Sequence, residues 1–210
     1  FHAQIKNTGF QVAFIVGLAA PGVSGVELVP MQMEITLKSS QVPADVMKVI
    51  IDGQRTLGKA VATGKEAEIK AAFKKTSLEA MKALGRPAPT DAELDAGFEA
   101  RKAEVMNPWT ISFFKIDPAV AWAKLRIPVL LVTGDKDTQV PVDVNFDKIT
   151  AALKKAGNKR FKAEKRVGLN HLSQHAPTGA LDEYGMIEET FDKETLELIS
   201  KWVVETTRKR

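Results

Sequence analysis

The stretch from Ile127 to Pro141, Ile-Pro-Val-Leu-Leu-Val-Thr-Gly-Asp-Lys-Asp-Thr-Gln-Val-Pro, limits what this chain can fold into more than any other. Its apolar run, Val129 to Val132, is flanked by proline and glycine, which is the pattern of a strand buried on both faces of a parallel sheet. Two carboxylates, Asp135 and Asp137, follow this run. Because open α/β sheets place their chemistry at the carboxyl ends of the strands, the stretch predicts an α/β protein with an acidic site at that edge.

A second buried strand is predicted at Val12–Ala20, which is apolar and is closed by Pro21-Gly22. A strand buried in a parallel sheet needs a neighbour on each side, and residues 1–11 are too few to supply one. The opening residues also have neither an initiator methionine nor the pattern of a signal peptide. The sequence therefore predicts that part of the sheet lies on a segment outside these 210 residues.

Three helices are predicted to interrupt the β/α pattern between these two strands. The first begins at Ser40–Pro43, the second ends at Gly85, and the third begins with a capping box, Thr90-Asp-Ala-Glu93. Because these helices interrupt the β/α pattern, they are interpreted as an insertion, most naturally a lid. Their apolar stripes are expected mainly to pack against one another, with only part of that surface facing a ligand. The predicted division is a first core strand and turn (1–29), a helical lid insertion (30–107) and the carboxyl-terminal part of the core (108–210).

The remaining segments are predicted to complete the core. Asn107–Pro118 is expected to return to the sheet, with its three aromatic residues anchoring the lid or lining an apolar pocket. A helix over about 143–156, a short edge-like strand over 160–167 and a final helix capped by Asp192 are predicted to follow. The apolar spacing of the last helix predicts an inward face made of Leu196, Ile199, Trp202 and Val203.

His171 is the strongest candidate for chemistry, because it follows a strand in the loop that begins Gly168-Leu-Asn. The ordinary pKa of imidazole suits proton transfer near neutral pH. One helix and one strand separate His171 from the acidic loop, so the ends of neighbouring strands would bring it to Asp137, while Asp135 caps the turn. The alternative is that Asp137 only caps a loop and that His171 is only a surface side chain.

Neither a metal nor a cofactor is predicted. His171 and His175 have the i, i+4 spacing of a helical metal pair, but Pro177 follows and no further ligand is suitably spaced. His2, in the opening segment, is interpreted as incidental. The chain has no cysteine, which excludes disulfides, thiolate catalysis and cysteine-based zinc sites.

A serine nucleophile of the elbow type would require Gly-x-Ser-x-Gly between a strand and a helix. The nearest approximation, Gly22-Val-Ser-Gly25, has Val26 in the last position. Ser24 is therefore interpreted as a turn residue, and no nucleophile is predicted within this chain.

These segments together resemble the carboxyl-terminal half of the α/β-hydrolase superfamily, and most closely bacterial serine esterases related to the prolyl-oligopeptidase and dienelactone-hydrolase branches. The resemblance implies that Asp137 is the triad acid and His171 the general base. It also implies that the nucleophilic serine and the oxyanion-hole amides lie on an earlier segment, with the serine roughly two dozen residues before Val12. The segments that carry the resemblance are Val12–Gly22, Pro128–Pro141, Gly168–His171, Tyr184–Glu189 and the last helix.

The resemblance implies a partial α/β-hydrolase fold and a carboxylic-ester hydrolase that acts on a small-molecule ester. Without the nucleophile, the chain by itself is expected to be close to inactive. It is also expected to expose a sheet edge that favours self-association or pairing with the missing half. The alternatives are a non-catalytic α/β-hydrolase-like binding module, or a serine peptidase or thioesterase.

Charge and hydropathy predict neither a nucleic-acid partner nor a membrane span. The net charge of +4 comes from 30 basic and 26 acidic residues, and the basic residues are spread out except for a short cluster at Arg208–Arg210. No aromatic interleaving accompanies that cluster, so no nucleic-acid partner is predicted. No apolar run approaches the roughly 20 residues that a transmembrane helix needs. The sequence leaves the cellular compartment open.

Overall fold

The computed structural model describes residues 11–208 of this α/β protein. The predicted roles of His2 and of the basic residues at positions 209 and 210 lie outside the described residues. The described chain divides into two compact units: residues up to Gly22 together with those from Pro118 onward, and Val23–Asp117. In chain order the elements are β1 (Ile15–Leu18), α1 (Gly25–Ser39), α2 (Ala44–Thr63), α3 (Glu66–Ala83), α4 (Asp91–Val105), α5 (Pro108–Lys115), α6 (Pro118–Trp122), β2 (Val129–Gly134), α7 (Val142–Lys155), β3 (Phe161–Arg166), a short 3₁₀ helix (Leu181–Glu183) and α8 (Lys193–Arg208).

The first unit contains a parallel sheet of three strands in the order β1-β2-β3. Val129 of β2 lies opposite Ile15 of β1 on one side and opposite Phe161 of β3 on the other. At the other end of β2, Gly134 lies opposite Arg166. The carboxyl ends of β2 and β3 therefore coincide, and the loops that follow them start side by side.

β2 forms the core of this unit, as its apolar run predicts. All six of its residues are buried, and Val129 and Leu131 form a cluster with Ile149 and Leu153 of α7. The spacing of Ile149 and Leu153 on α7 is one helical turn, so a single face of the helix covers the strand. The helix predicted over about 143–156 is confirmed, and it ends before Gly157, whose φ is +68°.

β1 is shorter and more exposed than its sequence predicts. The apolar run Val12–Ala20 yields only four strand residues, of which Gly17 alone is buried and Leu18 is 42% exposed. β1 pairs with β2 and with no other strand in the described part of the chain. The prediction of a fully buried strand is wrong for the described residues, because an apolar run reports suitability for burial and not the presence of a second neighbour.

The second unit is made of α1 to α5 around its own apolar cluster. Val61, Ile69 and Phe98 are fully or almost fully buried, and Phe114 packs against them. Close helix contacts depend on small residues: a β-carbon on Gly58 would lie 2.9 Å from the ring of Phe114. The predicted helices and the capping box are confirmed, but α1 was not predicted.

Asn107–Pro118 does not return to the sheet, contrary to the sequence interpretation. It forms α5, which belongs to the helical unit. The Asn107 side chain accepts a hydrogen bond from the Trp109 N–H at 2.8 Å, and Pro108 occupies the first helical position. Both are helix-start signals, and they outweigh the β propensity of the aromatic residues. Within the helix, Trp109 and Phe113 stack one turn apart.

The final helix begins as predicted, but its inward face differs. Asp192 Oδ2 accepts hydrogen bonds from the Thr195 N–H at 2.9 Å and from the Thr195 hydroxyl at 2.7 Å, which confirms the cap. Thr195 is fully buried, whereas Leu196 is 48% exposed. The cap holds Thr195 inward and turns Leu196 outward, so the prediction for Leu196 is wrong.

None of the described helices is long and apolar enough to cross a bilayer.

Candidate active site

The loop after β2 runs beside the chain that follows β3, and backbone hydrogen bonds join them. The Asp135 N–H donates to the Arg166 carbonyl at 2.9 Å, and the Lys136 N–H donates to the Leu169 carbonyl at 3.0 Å. A β-carbon on Gly134 would lie 2.0 Å from the Leu169 oxygen, so only glycine permits this approach. These hydrogen bonds continue the pairing of β2 with β3 beyond the strand ends, and they fix the distance between the two loops.

Asp137 is buried in this loop and is surrounded by donors. Its Oδ1 accepts hydrogen bonds from the N–H groups of Gln139 at 2.9 Å and Val140 at 2.7 Å. Its Oδ2 lies 2.9 Å from Nδ1 of His171. The side chain has no exposed surface. A carboxylate removed from water needs such compensation, and here two backbone amides and one imidazole supply it.

His171 stands at the tip of a tight turn that follows β3. Leu169 and His175 form an antiparallel bridge, and between them the Asn170 N–H donates to the Gln174 carbonyl at 2.9 Å. The His171 side chain is 27% exposed. Its Nε2 has no hydrogen-bond partner among residues 11–208.

The Asp137 contact determines which nitrogen of His171 can act as a base. An ionised carboxylate can only accept hydrogen bonds, so Nδ1 carries the proton that it shares with Asp137. In the neutral ring the lone pair then lies on Nε2, which is the nitrogen that faces outward. The arrangement can therefore accept a proton at Nε2, and the buried carboxylate stabilises the imidazolium that results.

A buried amide pair supports the turn beneath His171. Asn170 Oδ1 accepts hydrogen bonds from the N–H groups of Leu172 at 2.9 Å and Gln174 at 3.0 Å, and its Nδ2 donates to Gln174 Oε1. Gln174 Nε2 in turn donates to the Glu189 carbonyl at 2.8 Å. Ser173 has a positive φ of 59°, a strained backbone for a residue other than glycine. Sequence reasoning did not single out these amides, although the Asn-x-x-x-Gln spacing across a turn is the available signal.

Lys136, between the two acids, fastens the acidic loop to the segment after the histidine turn. Its Nζ donates to the carbonyls of Ala176 at 3.0 Å and Pro177 at 2.6 Å. The Thr138 hydroxyl donates to the Gly179 carbonyl at 2.8 Å, and Gly179 has a φ of +80°. Since both neighbours of Asp137 in the sequence are held this way, the carboxylate has little freedom to move away from His171.

Asp135 has the turn-capping role that its position after Gly134 predicts. Its Oδ1 accepts a hydrogen bond from the Gly168 N–H at 2.7 Å, and Gly168 has a φ of +80°. The structure therefore brings Asp137, and not Asp135, to the imidazole. Ser24 lies at the N-cap of α1 without a capping hydrogen bond from its side chain.

The residues with the best spacing for a metal in the described part of the chain are His175, Glu189 and Asp192, whose ligand atoms lie within 4.8 Å of one another. These donors already have partners. His175 Nδ1 lies 3.0 Å from Glu189 Oε2, and Asp192 Oδ2 accepts from Thr195 and from the Arg166 guanidinium at 3.4 Å. The Arg166 guanidinium thus already forms an ion pair with one of the three carboxylate and imidazole groups, Asp192. His171 is not part of this group. The two histidines of the i, i+4 pair therefore contact different carboxylates: His171 contacts Asp137, and His175 contacts Glu189.

Charge interactions also fix the start of α8 beside the turn. Burial acts to raise the pKa of Asp192, but the hydrogen bonds from Thr195 and Arg166 outweigh it and hold that pKa below its ordinary value. The Glu194 carboxylate is the main cause of a raised pKa of Arg166. The Asp192 N–H donates to the Ser173 carbonyl at 2.7 Å, which connects this ion pair to the turn that carries His171.

Comparison of the chain with protein-family models, curated proteins and solved structures found no match.

Proposed function

We propose that this chain carries the acid and the base of a serine hydrolase that cleaves carboxylic esters, with Asp137 as the acid and His171 as the base. The observation that carries the proposal is the 2.9 Å contact between a buried carboxylate and a partly exposed imidazole. Both stand after the carboxyl ends of adjacent parallel strands, which is where α/β enzymes hold their reactive groups. The outward Nε2 is available to a hydroxyl group.

In the proposed reaction, His171 Nε2 takes the proton of a serine hydroxyl as its oxygen attacks the ester carbonyl. Asp137 keeps Nδ1 protonated and stabilises the imidazolium. The same proton then passes to the departing alcohol, which leaves an acyl-enzyme. Water, deprotonated in the same way, releases the acid. The attacking serine belongs to a Gly-x-Ser-x-Gly elbow, a pentapeptide that these 210 residues do not contain.

The proposal includes a partial α/β-hydrolase fold with the helical unit, Val23–Asp117, as an inserted lid. Chain order supports this interpretation. The chain leaves the sheet after β1, forms the helical unit, and re-enters the sheet at β2, which pairs directly with β1. An insertion between two neighbouring strands leaves their pairing intact, and such insertions are where substrate-covering segments are tolerated.

The test begins with the coding sequence upstream of Phe1. We expect an elbow pentapeptide roughly two dozen residues earlier. The protein extended to include it should react with a fluorophosphonate, with the adduct on that serine by intact mass and peptide mapping. Replacement of His171 by Gln or of Asp137 by Asn should lower ester turnover by about 10³–10⁴-fold, with little change in the thermal unfolding midpoint.

The matched controls are His175→Gln and Asp135→Asn, which remove the other histidine of the turn and the other carboxylate of the loop. Both should retain turnover within a few-fold. Retained activity in the His171 variant would contradict the proposal. An upstream sequence without an elbow would favour the alternative, a non-catalytic binding module. Peptide and thioester substrates, assayed beside carboxylic esters, distinguish a peptidase or thioesterase from an esterase.

A further inference from the structure

A cavity of about 330 Å³ lies at the amino-terminal ends of the strands, away from the acid–base pair. It is lined by the turn that enters β3 and by the last turns of α8. The pair stands beyond the opposite end of β3, a six-residue strand that spans roughly 20 Å. The cavity is therefore a separate site, and it does not depend on the proposed hydrolase function.

One wall of the cavity is cationic. Lys159, Arg160 and Lys162 line it, and none of the described lining residues is acidic. Lys162 has a carboxylate partner, Glu164, at 3.0 Å. Neither Lys159 nor Arg160 forms an ion pair with any residue of the described range 11–208. Two positive charges without an ion-pair partner among the described residues thus line the same half-open cavity.

Hydrogen bonds of its main chain and of its side chain fix Arg160 in place. Asn158 is buried, donates through Nδ2 to the Ile127 carbonyl at 2.9 Å and accepts through Oδ1 from the Arg160 N–H at 2.8 Å. The Arg160 guanidinium donates to the Arg126 carbonyl, and the Arg160 carbonyl accepts from the Val129 N–H at 3.0 Å. Arg160 therefore approaches a ligand from a fixed position with guanidinium donors to spare, which lowers the entropy lost on binding.

The rest of the lining offers apolar surface and one hydroxyl. Phe161 and Trp202 supply the apolar part, and Thr206, one turn further along α8 than Trp202, supplies the hydroxyl. Trp202 also makes an edge contact with Phe14, at 5.6 Å between ring centroids, which holds the indole in position. A ring or other flat body fits against such aromatic side chains.

We propose that this cavity binds an organic phosphate monoester, with the phosphate at Lys159 and Arg160 and an aromatic body against Trp202. A phosphate monoester carries a charge near −2 at neutral pH, which matches the two cations that have no ion-pair partner in the described range. Arg binds phosphate oxygens through two parallel N–H groups, and lysine adds a point charge. A cavity of 330 Å³ is at the small end of ligand sites, so the ligand is of the size of an aryl phosphate or a nucleoside monophosphate.

The test uses the full 210-residue chain, labelled with ¹⁵N and titrated with phenyl phosphate at low salt. We expect saturable shifts at residues 159–162 and 202–206 and none at the turn that carries His171. Affinity should fall as sodium chloride is added. Phenol should give no saturable shifts, and inorganic phosphate should bind more weakly than phenyl phosphate. Benzoate, which has one charge, should also bind more weakly, and equal binding of benzoate would overturn the assignment to a dianion.

Variants locate the site. Lys159→Gln combined with Arg160→Gln should lower the affinity for phenyl phosphate by about tenfold or more. Lys159→Gln alone should lower it by a few-fold. The single variant changes an exposed side chain, so it tests the proposal even if the double variant fails to fold. Lys148→Gln, an exposed lysine on α7, is the matched control and should bind as the wild type does. Trp202→Leu should lower the affinity for phenyl phosphate to the affinity for inorganic phosphate. Absence of saturable shifts, or equal weakening by Lys148→Gln, would overturn the proposal.

Discussion

Gly134 and Leu169 meet backbone to backbone: a β-carbon on Gly134 would lie 2.0 Å from the Leu169 carbonyl oxygen. The acid-bearing loop and the histidine-bearing turn begin at this contact. Their separation is therefore set by main-chain atoms, which cannot move aside as a flexible side chain can.

Gly134→Ala should therefore displace the turn. We expect the free energy of unfolding to fall by about 2 kcal/mol, the usual cost of overpacking. The imidazole resonances of His171 should shift as well. Gly185→Ala is the control, because a β-carbon there meets no atom within 4 Å. Denaturant unfolding measures both variants, and equal stability of the two would show that the turn yields without cost.

Asp137→Asn should change the tautomer of His171. In the wild type the carboxylate favours the ring with its proton on Nδ1, whereas an amide can accept or donate and so favours neither form. Nitrogen-15 chemical shifts of the neutral imidazole report the two populations. Asp135→Asn should leave them unchanged, because its amide oxygen can still accept the Gly168 N–H. A wild-type ring with its proton mainly on Nε2 would contradict the assignment.

Asn170→Ala should loosen the histidine turn. The N–H groups of Leu172 and Gln174 would lose their acceptor in a buried position, at an expected cost of about 2–3 kcal/mol. Amide hydrogen exchange over 169–175 should accelerate more than elsewhere. The comparison variant is Leu172→Ala, on the same turn but half exposed, for which we expect a change within about 0.5 kcal/mol. Equal losses of stability in the two variants would contradict this role of Asn170.

Asp192 should make stability depend on pH in acid. Its pKa is lower in the folded chain than in the unfolded chain, so its contribution is complete above the unfolded pKa of about 4 and is lost as the pH falls through the folded value. Asp192→Asn keeps a capping oxygen but removes the charge beside Arg166. We expect it to lower stability at pH 7 by about 1 kcal/mol and to flatten the decline below pH 4. Unfolding curves at several pH values give the free energy of unfolding of each protein, with the exposed Asp182→Asn variant as the control. If the stabilities of Asp192→Asn and of the wild type fell in parallel as the pH is lowered, the prediction would be refuted.

Thr90→Ala tests the start of α4 in the helical unit. The Thr90 hydroxyl accepts from the Glu93 N–H, and the Glu93 carboxylate accepts from the Thr90 N–H at 2.7 Å. Loss of the hydroxyl should cost about 1 kcal/mol. Glu93→Gln retains an acceptor for the Thr90 N–H and should cost less. Thermal unfolding compares the two, and the reverse order of stability would argue against the reciprocal cap.

The sequence predicts β2, α7 and the contact of Asp137 with His171 better than it predicts the elements around them. The buried strand β2, the helix after it and the pairing of Asp137 with His171 follow from local rules: an apolar run, a helical stripe, and strand ends that meet at one edge. Asp135 and Asp137 are separable because an acid directly after glycine is placed to accept from the turn, whereas the acid two positions later is free to reach a neighbouring loop.

The wrong or missed predictions have a common physical origin: neighbouring residues and burial outweigh the local sequence pattern. Leu196 is apolar and correctly spaced, but the Asp192–Thr195 cap sets the rotation of the helix and leaves it outside. The aromatic residues of Asn107–Pro118 favour a strand by propensity, yet one asparagine and one proline begin a helix there. The Asn170–Gln174 amide pair was missed because polar residues in a turn look ordinary until their burial is known.

The contact of Gly25 with Phe113 has a consequence for folding order. A β-carbon on Gly25 would lie 2.5 Å from the Phe113 ring, so the first and last helices of the helical unit lie against each other. Once this unit has folded, its entrance and exit are close together, and the hundred or so residues between β1 and β2 act as a short tether. Replacing a flexible loop of that length by one about a tenth as long lowers the entropic cost of strand pairing by about 2 kcal/mol. We therefore expect the helices to form before β1 and β2 pair, even though the described part of the chain both begins and ends in the other unit.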